Sequence, residues 1–282
     1  MEKSSFLRKL RYKLPGYLND ALKLVVVLLF MFPFYWMIVT SFKTYAETVQ
    51  TPPTLWPQHW TLEAYNTVLN SMNLWGYIKN TIIVTGSVIV LQTIIMIPAA
   101  YAFAKFKFKA NGALFSLVLI AQMVPVQITF ISTYLMMSDL GLLNSLWPQI
   151  IPFGANAFGI FLMRQNFKQI PDEIIEAAKL DNANEMQIMY QIMLPMAKSS
   201  MLTVALFSFI SHWNSYFWPL VMTNDNAFRP IALAIASLRD VENGLNWATI
   251  MAGNVLMMLP LMILFIFASQ KIIATFAYRG VK

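Results

Sequence analysis

Side chains that could carry out catalysis are few in this sequence, and they are not grouped. It has two histidines, His59 and His212, and no cysteine. No His and carboxylate cluster has the spacing of metal ligands, no glycine-rich phosphate loop is present, and no Ser, His and Asp set occurs together. We expect His212 to pack between helices and His59 to be exposed in a loop. The sequence therefore predicts neither a catalytic site nor a metal site.

Polar side chains within long apolar stretches are the other candidates for function. An unpaired polar group in lipid is costly, so such a group should face a partner or an aqueous pathway. Amide and aromatic side chains together could also bind a polar solute. The candidates are Gln122, Gln127, Asn156, Ser211, Trp213, Asn214, Tyr216, Trp218 and Asn254. The competing interpretation is that they bond between helices or form an aromatic belt.

The composition indicates which elements must position these groups. Hydrophobic residues make up 58% of the 282 residues, and charged residues make up only 12%. A soluble domain is about one quarter charged, so this chain must keep much of its apolar surface in lipid. A soluble enzyme is excluded. With so few charges, the net charge of +7 does not indicate a nucleic-acid groove.

Six charge-free stretches are long enough to cross a bilayer, which takes roughly 20 apolar residues. They are Leu24–Phe42, Asn80–Ala104, Ala110–Ser138, Leu140–Met163, Ser199–Asn224 and Asn243–Gln270. The first is too long for a cleavable signal peptide, and no small-residue cleavage site follows it. The predicted fold is an all-α membrane protein with six transmembrane helices within residues 24–274.

The positions of Lys and Arg predict the orientation, because cytoplasmic loops are rich in both. If the N-terminus is inside, 16 basic residues lie on the cytoplasmic side and four lie outside. The outer four are Lys43, Lys79, Arg229 and Arg239. We therefore predict that the N-terminal segment 1–23 and the C-terminal tail 275–282 are both cytoplasmic.

Two outer loops have distinct features. The segment Lys43–Lys79 contains Trp56, Trp60 and Trp75, whose rings we expect at the level of the lipid headgroups. The apolar run Pro230–Leu238 is too short to span, so we predict an interfacial or re-entrant segment.

The inner loop 164–200 is predicted to be a helix–turn–helix. Pro171 suits a first helical position, and Asn182 suits the left-handed geometry at a helix end. Asn184 with Gln187 resembles an N-cap box for a second helix.

Two interpretations of this loop are open. One is a surface helix that lies on the membrane face. The other is a docking element, in which Ala177 and Ala178 permit close approach and Met186, Met189 and Met193 offer an adaptable surface. We expect Pro195 to end the second helix.

The loop resembles the EAA loop of ABC-importer permeases, whose usual form is E-A-A, a short spacer, G-A, a longer spacer and I-x-L-P. The residues that match or align are Glu176, Ala177, Ala178, Asp181, Asn182, Ala183, Ile192, Leu194 and Pro195. Further similarity lies at Asn80-Thr81, Ala100–Ala104, Met123–Pro125, Trp213-Asn214, Trp218–Leu220 and Gly280-Val281-Lys282. Together they resemble the six-span, maltose-transporter-type branch. Asn182 stands where the family usually has Gly, and Asn can hold the same turn.

The resemblance implies a type I ABC-importer permease in a bacterial or archaeal cytoplasmic membrane. Its implied partners are a second homologous permease subunit, a dimer of cytoplasmic ABC ATPases, an extracellular or periplasmic solute-binding protein, a sugar and the lipid bilayer, but no nucleic acid. ATP and Mg would belong to the ATPase, so this chain would hold no cofactor and would not be an enzyme.

The resemblance also implies roles for particular residues. The helix Pro171–Leu180 would be the coupling helix, and Glu176 would pair with a basic residue of the ATPase. Gly280, Val281 and Lys282 resemble a tail that reaches the ATPase interface in some relatives.

Two alternatives remain open. A permease for glycerol phosphate or another small solute is similar, but an anion would need a cationic pathway, and Arg229 and Arg239 are too peripheral to form one. An ion-driven secondary transporter would need charged residues deep in the spans, and the six stretches contain none there.

Overall fold

The computed structural model describes residues 16–239 and 245–277, with side chains over 18–239 and 245–266. All regular elements in these ranges are helical. The α-helices are α1 (Gly16–Ser41), α2 (Tyr45–Thr48), α3 (Glu63–Ser71), α4 (Leu74–Lys105), α5 (Asn111–Gln122), α6 (Val126–Asp139), α7 (Ala157–Gln169), α8 (Asp172–Leu180), α9 (Glu185–Met196, with a π-helical stretch over Ile188–Met193), α10 (Lys198–Trp213), α11 (Phe217–Met222), α12 (Ile231–Ala236) and α13 (Trp247–Ala277). The predicted all-α fold is confirmed over these residues.

The chain divides into two compact units, Met1–Ser71 with Leu238–Leu256 and Met72–Ser237 with Met257–Lys282. In the first unit, the loop after α1 is built around Lys43 and Glu47. The ammonium of Lys43 donates to the carbonyl of Thr54 and lies 4.5 Å from the centroid of the Trp36 ring. A carboxylate oxygen of Glu47 accepts from the amide of Gln58 at 2.6 Å. The loop is therefore an ordered element.

The second unit is organised around α4, which packs against α7 and α10. The buried face of α4 includes polar side chains as far as Gln92, among them Asn80 and Thr81, and is apolar over its last turns. At that end, Ala100 and Tyr101 join a core that also includes parts of α7, α8, α9 and α10. This arrangement places the 164–200 loop against the last turns of α4.

The third predicted span, Ala110–Ser138, is not one helix, and that part of the prediction is wrong. α5 and α6 meet at a bend of 92°. Pro125 lies in the bend with extended backbone, at φ −62° and ψ 134°. Because proline lacks an amide hydrogen and disfavours a helical residue before it, α5 ends there.

The fourth predicted span, Leu140–Met163, is also wrong as a continuous helix. Gly141 and Asn144 have positive φ values of 66° and 54°, and two short 3₁₀ helices follow at Trp147–Gln149 and Ile151–Phe153. Only α7 is a regular α-helix here, and its 13 residues extend for about 20 Å. That is short of the roughly 30 Å of hydrocarbon.

The fifth predicted span, Ser199–Asn224, is interrupted over Asn214–Tyr216, between α10 and α11. Within the described residues, three helices are long and apolar enough to cross a membrane alone, and up to five spans result if each bent pair counts as one. These three are Leu18–Ser41, Leu74–Lys105 and Trp247–Ile266. The six-span topology and the positions of the termini therefore stay predictions.

The apolar run Pro230–Leu238 contains α12, and its placement as an interfacial or re-entrant segment stays a prediction. Ile231 is fully buried, and its amide donates to Thr81 Oγ1 on α4 at 2.8 Å. The side chain of Asn80 donates to the carbonyls of Ala227 and Arg229, at 2.7 Å and 3.1 Å. α12 is thus held inside the protein against α4.

Two threonines one turn apart on α4 provide a matched test of this attachment. Thr81→Val removes the acceptor of a buried amide, so we expect a loss of about 1–3 kcal/mol of stability. Thr85 is equally buried, but its Oγ1 has no hydrogen-bond partner among the described residues, so Thr85→Val should be neutral or stabilising. Thermal unfolding of the purified protein in detergent measures both; equal losses would contradict the attachment.

Candidate coupling site

The loop 164–200 forms the predicted helix–turn–helix. α8 begins directly after Pro171, which lies at the N-cap position. Asn182 has φ of 59°, and the amides of Asn182 and Ala183 donate to the carbonyls of Lys179 and Ala178, at 3.1 Å and 3.0 Å. This is the bonding pattern of a left-handed helix end. The prediction that Asn182 holds the turn is confirmed.

The start of α9 is also as predicted. The amide of Gln187 donates to Asn184 Oδ1 at 2.9 Å, and the amide of Asn184 donates to Gln187 Oε1 at 2.8 Å. Pro195 does not end the helix as we expected, because α9 continues to Met196. The chain then bends by 81° into α10.

The inward face of the loop is apolar and belongs to the core. Ile175 and Ala178 of α8 pack in one cluster with residues of α4 and α7. Met189 and Met193 are 4% and 0% exposed, so the prediction that they form a docking surface is wrong. Their spacing alongside Ile188 and Ile192 indicates one apolar face, and that face is buried.

The outward face of α8 carries the exposed side chains. Glu173, Glu176, Ala177 and Leu180 are spaced as neighbours on one side of a helix, and all four are exposed. Leu180 is 85% exposed, and the sequence analysis missed it, although its position four residues after Glu176 was a signal. Within the described part of the chain, Glu176 has no ion pair or hydrogen bond. This face has the chemistry of a docking surface.

Hydrogen bonds attach the loop to the end of α4. Lys105 Nζ donates to the carbonyl of Ile170 and to Asp172 Oδ1, both at 2.6 Å. Tyr101 donates its hydroxyl hydrogen to Glu185 Oε2 at 2.6 Å, and Lys179 forms an ion pair with Glu185 at 2.9 Å. The beginnings of both loop helices are therefore bonded to the same turns of α4.

The same contacts shift the pKa values of two carboxyl groups in the loop. The hydrogen bond and the charge of Lys105 lower the pKa of the Asp172 carboxyl. The hydrogen bonds from Tyr101 and Lys179 lower the pKa of the Glu185 carboxyl. Both carboxylates are held in their charged form, as the attachment requires.

Several pathway candidates lie in the interior of the second unit. Trp213 is 1% exposed and donates its indole hydrogen to the carbonyl of Met257 at 3.0 Å. Trp218 is 5% exposed and donates to the carbonyl of Pro148 at 2.7 Å. His212 is also buried and contacts the Phe153 ring. The structure favours packing roles for both tryptophans, and the prediction for His212 is confirmed.

Two of the three asparagines among the candidates, Asn156 and Asn254, are hydrogen-bonded within the protein. Asn156 caps α7 by accepting from the amide of Gly159 at 2.8 Å, and it donates to Gln92 at 3.2 Å and to Ser208 at 3.4 Å. Asn254 donates to the carbonyl of Ile250, one turn earlier. These bonds give both side chains a structural role.

The remaining pathway candidates are exposed and most lie at helix breaks. Gln122 and Gln127 flank the 92° bend, while Asn214 and Tyr216 lie between α10 and α11. Ser211 is exposed near the end of α10. The Phe130 ring contacts the rings of Phe217 and Trp218, with centroids 5.1 Å and 5.4 Å apart, which places the two breaks side by side. A pathway role for these five stays a prediction.

Three other predictions concern His59, the loop tryptophans and the C-terminal tail. His59 is exposed, as predicted, and so are Trp56, Trp60 and Trp75. The tail residues Gly280, Val281 and Lys282 lie outside the described residues.

The family described as the binding-protein-dependent transport system inner membrane component matches residues 93–275 of the chain. The chain belongs to this family. The matched range contains the whole of α8 and α9, together with the end of α4 to which they are bonded. The family resemblance that the loop residues indicated is thereby confirmed.

Curated relatives of this family of transport components match most of the chain. The arabinooligosaccharides transport system permease protein AraQ of Halalkalibacterium halodurans is 30% identical and covers 89% of this chain and 91% of the relative. The diacetylchitobiose uptake system permease protein DasC of Streptomyces coelicolor is 28% identical, with 89% and 92% covered. The sn-glycerol-3-phosphate transport system permease protein UgpE of Rhizobium meliloti is 29% identical, with 84% and 87% covered.

A solved structure has the same fold. It is described as a bacterial ABC transporter involved in the import of the acidic polysaccharide alginate, and one of its chains is 28% identical with a TM-score of 0.81. The similarity covers 90% of this chain and 95% of that chain. The breaks in the predicted spans thus belong to an ABC-importer permease fold.

Acidification should loosen the coupling loop. Because the pKa values of Asp172 and Glu185 are lowered in the folded chain, their bonds stabilise the loop above the unfolded pKa of about 4, and this stabilisation is lost as pH falls through the lowered values. Hydrogen exchange of the amides over 172–190, corrected for intrinsic rates, should rise below about pH 4. In the Asp172→Asn/Glu185→Gln variant, exchange should already be faster at neutral pH and should depend less on pH. Glu176→Gln is the control, and an unaltered profile in the double variant would contradict the assignment.

Proposed function

We propose that this chain is the transmembrane permease subunit of an ATP-driven ABC importer that moves a sugar or oligosaccharide into the cell. The observation that carries the proposal is α8: its outer face exposes Glu176 and Leu180, while its inner face and its bonds join it to α4. An exposed leucine beside two carboxylates, on a helix that is fixed from its inner side, suits contact with another protein.

In this proposal, α8 is the coupling helix and docks on a cytoplasmic ABC ATPase. Glu176 pairs with a basic residue of the ATPase, and Leu180 adds apolar contact. ATP and Mg are bound and used by a dimer of that ATPase, so the permease itself carries out no hydrolysis. Movement of α8 reaches α4 through the Lys105–Asp172 and Tyr101–Glu185 bonds and through the common core.

The proposed assembly has two further partners. A second homologous permease subunit completes the pathway, and an extracellular or periplasmic binding protein delivers the solute. The family's description as a component of binding-protein-dependent transport supports the second partner.

A sugar or oligosaccharide is the proposed substrate class. Relatives named for diacetylchitobiose and for arabinooligosaccharides support it. The exposed polar groups at the two helix breaks are amides and a phenol, and neither stretch 110–138 nor stretch 199–224 contains a Lys or Arg. The second candidate is glycerol phosphate, which the relative UgpE favours at similar identity. Such an anion would be expected to use cationic groups.

The coupling assignment predicts the effect of reversing one charge. Glu176→Lys should abolish the pairing with the ATPase, so that the ATPase no longer co-purifies and sugar-stimulated ATP hydrolysis in lipid is lost. Glu63→Lys on α3 is the matched control, because Glu63 is equally exposed and is predicted to lie outside. If both variants retain the ATPase and full sugar uptake, the coupling assignment is wrong.

The orientation can be tested by labelling, since the native chain has no cysteine. Ser71→Cys, predicted to lie outside, should react with a membrane-impermeant maleimide in intact cells. Ser199→Cys, predicted to lie inside, should react only after the cells are made permeable. Both residues are exposed in the structure. The opposite labelling pattern would mean that the chain has the inverse orientation in the membrane.

A further inference from the structure

A hollow of about 560 Å³ lies where α4 ends and α5 begins, beside α7. Its lining includes five basic side chains, Lys105, Lys107, Lys109, Arg164 and Lys168, and one carboxylate, Asp172. The coupling function uses only Lys105 and Asp172 of this group. The concentration of the other four basic residues around one hollow needs a different account.

The positive charge of the hollow is not neutralised by the protein. Asp172 is already bonded to Lys105, with 2.6 Å between Oδ1 and Nζ. Among the described residues, Lys107, Lys109 and Lys168 form no ion pair, and Lys107 and Lys168 are exposed. The hollow is therefore suited to bind an anion.

The hollow is formed before any ligand arrives. The guanidinium carbon of Arg164 lies 3.7 Å from the centroid of the Phe115 ring, and Nε donates to the carbonyl of Phe103 at 3.1 Å. Its terminal nitrogens make no hydrogen bond within the described chain, which leaves a fixed two-pronged donor of the kind that binds phosphate. Asn111 holds the adjoining loop by donating to the carbonyl of Phe106 at 2.9 Å.

The rim of the hollow is aromatic. Phe106 and Phe108 are 44% and 40% exposed, and they alternate with Lys105, Lys107 and Lys109 along the chain. A free phosphate ion would gain nothing from exposed rings. A phospholipid would, because its phosphate meets the basic groups while its acyl chains meet apolar side chains.

We propose that this hollow binds the phosphate headgroup of an anionic phospholipid. The hollow lies at the end of α4 and the beginning of α5. A headgroup site must lie at such a position, where apolar helices reach the surface of the membrane. Its place in the cytoplasmic leaflet rests on the proposed orientation of the permease, whereas the charge, the preformed arginine and the aromatic rim do not. Basic hollows between membrane helices on this side are typical headgroup sites.

The test measures phosphatidylglycerol bound to the purified full-length protein from micelles that contain equal phosphatidylglycerol and phosphatidylcholine, by native mass spectrometry. The wild-type protein should retain phosphatidylglycerol in preference to phosphatidylcholine. The variant Lys107→Gln/Lys168→Gln should lose roughly 10- to 30-fold in relative affinity, as expected for two lysines near an anionic surface. Neither lysine makes a bond in the described structure, so the variant should fold, and its melting temperature checks this.

The matched control is Lys23→Gln/Lys198→Gln, which removes the same charge elsewhere on the side predicted to be cytoplasmic. Equal losses in both variants would mean that overall charge, and not the hollow, attracts the lipid. If inorganic phosphate at equal concentration displaces the lipid, the ligand of the hollow is a free anion, and the lipid assignment is wrong. If the hollow variant loses the ATPase while it keeps the lipid, the surface is a protein contact and the proposal is overturned. Since wild-type ATPase co-purification is scored separately, failure of the lipid site leaves the proposed function standing.

Discussion

The contact on which the rest of this structure depends is the attachment of the 164–200 loop to the last turns of α4. Apolar burial supplies the bulk of it, through a core shared by α4, α7, α8, α9 and α10. Burial is non-directional, so it cannot alone fix the position of α8. The bonds from Lys105 and Tyr101 do so, because they hold the beginnings of α8 and α9 at defined atoms. The exposed face of α8 therefore keeps one orientation relative to α4.

Helix breaks have a different effect in the same chain: they interrupt the long apolar stretches instead of fixing one helix against another. Pro125 separates α5 from α6, and positive φ at Gly141 and Asn144 interrupts the helical backbone after α6. Each break frees backbone groups that lipid cannot satisfy. Such backbone is therefore expected to be buried in protein or to line a cavity. The amide side chains of Gln122 and Gln127 flank one break, where a pathway for a polar solute would need them.

The amino-acid sequence predicts this structure best where local chemistry decides it. The turn at Asn182 and the cap at Asn184 depend on residues within a few positions, and both were predicted correctly. The buried attachment of α12 to Asn80 and Thr81 joins residues about 150 positions apart, and nothing local indicates it. Hydropathy located the apolar stretches. It could not locate the breaks, because proline is common in membrane helices that continue.

A second limit applies to Met189, Met193, Trp213 and Trp218. In a soluble protein, an apolar side chain is expected inside and a polar one outside. In a membrane, lipid tails are as apolar as the protein interior, so the same methionine suits a core, a lipid face or a docking surface. What distinguishes these sites is the polar atom nearby: the indole nitrogens of both tryptophans have backbone acceptors inside the protein. In this chain, a charged group without a partner among the described residues is therefore better evidence of function than an apolar or aromatic residue. Glu176 and the terminal nitrogens of Arg164 are such groups, and each carries one of the two proposals made for this chain.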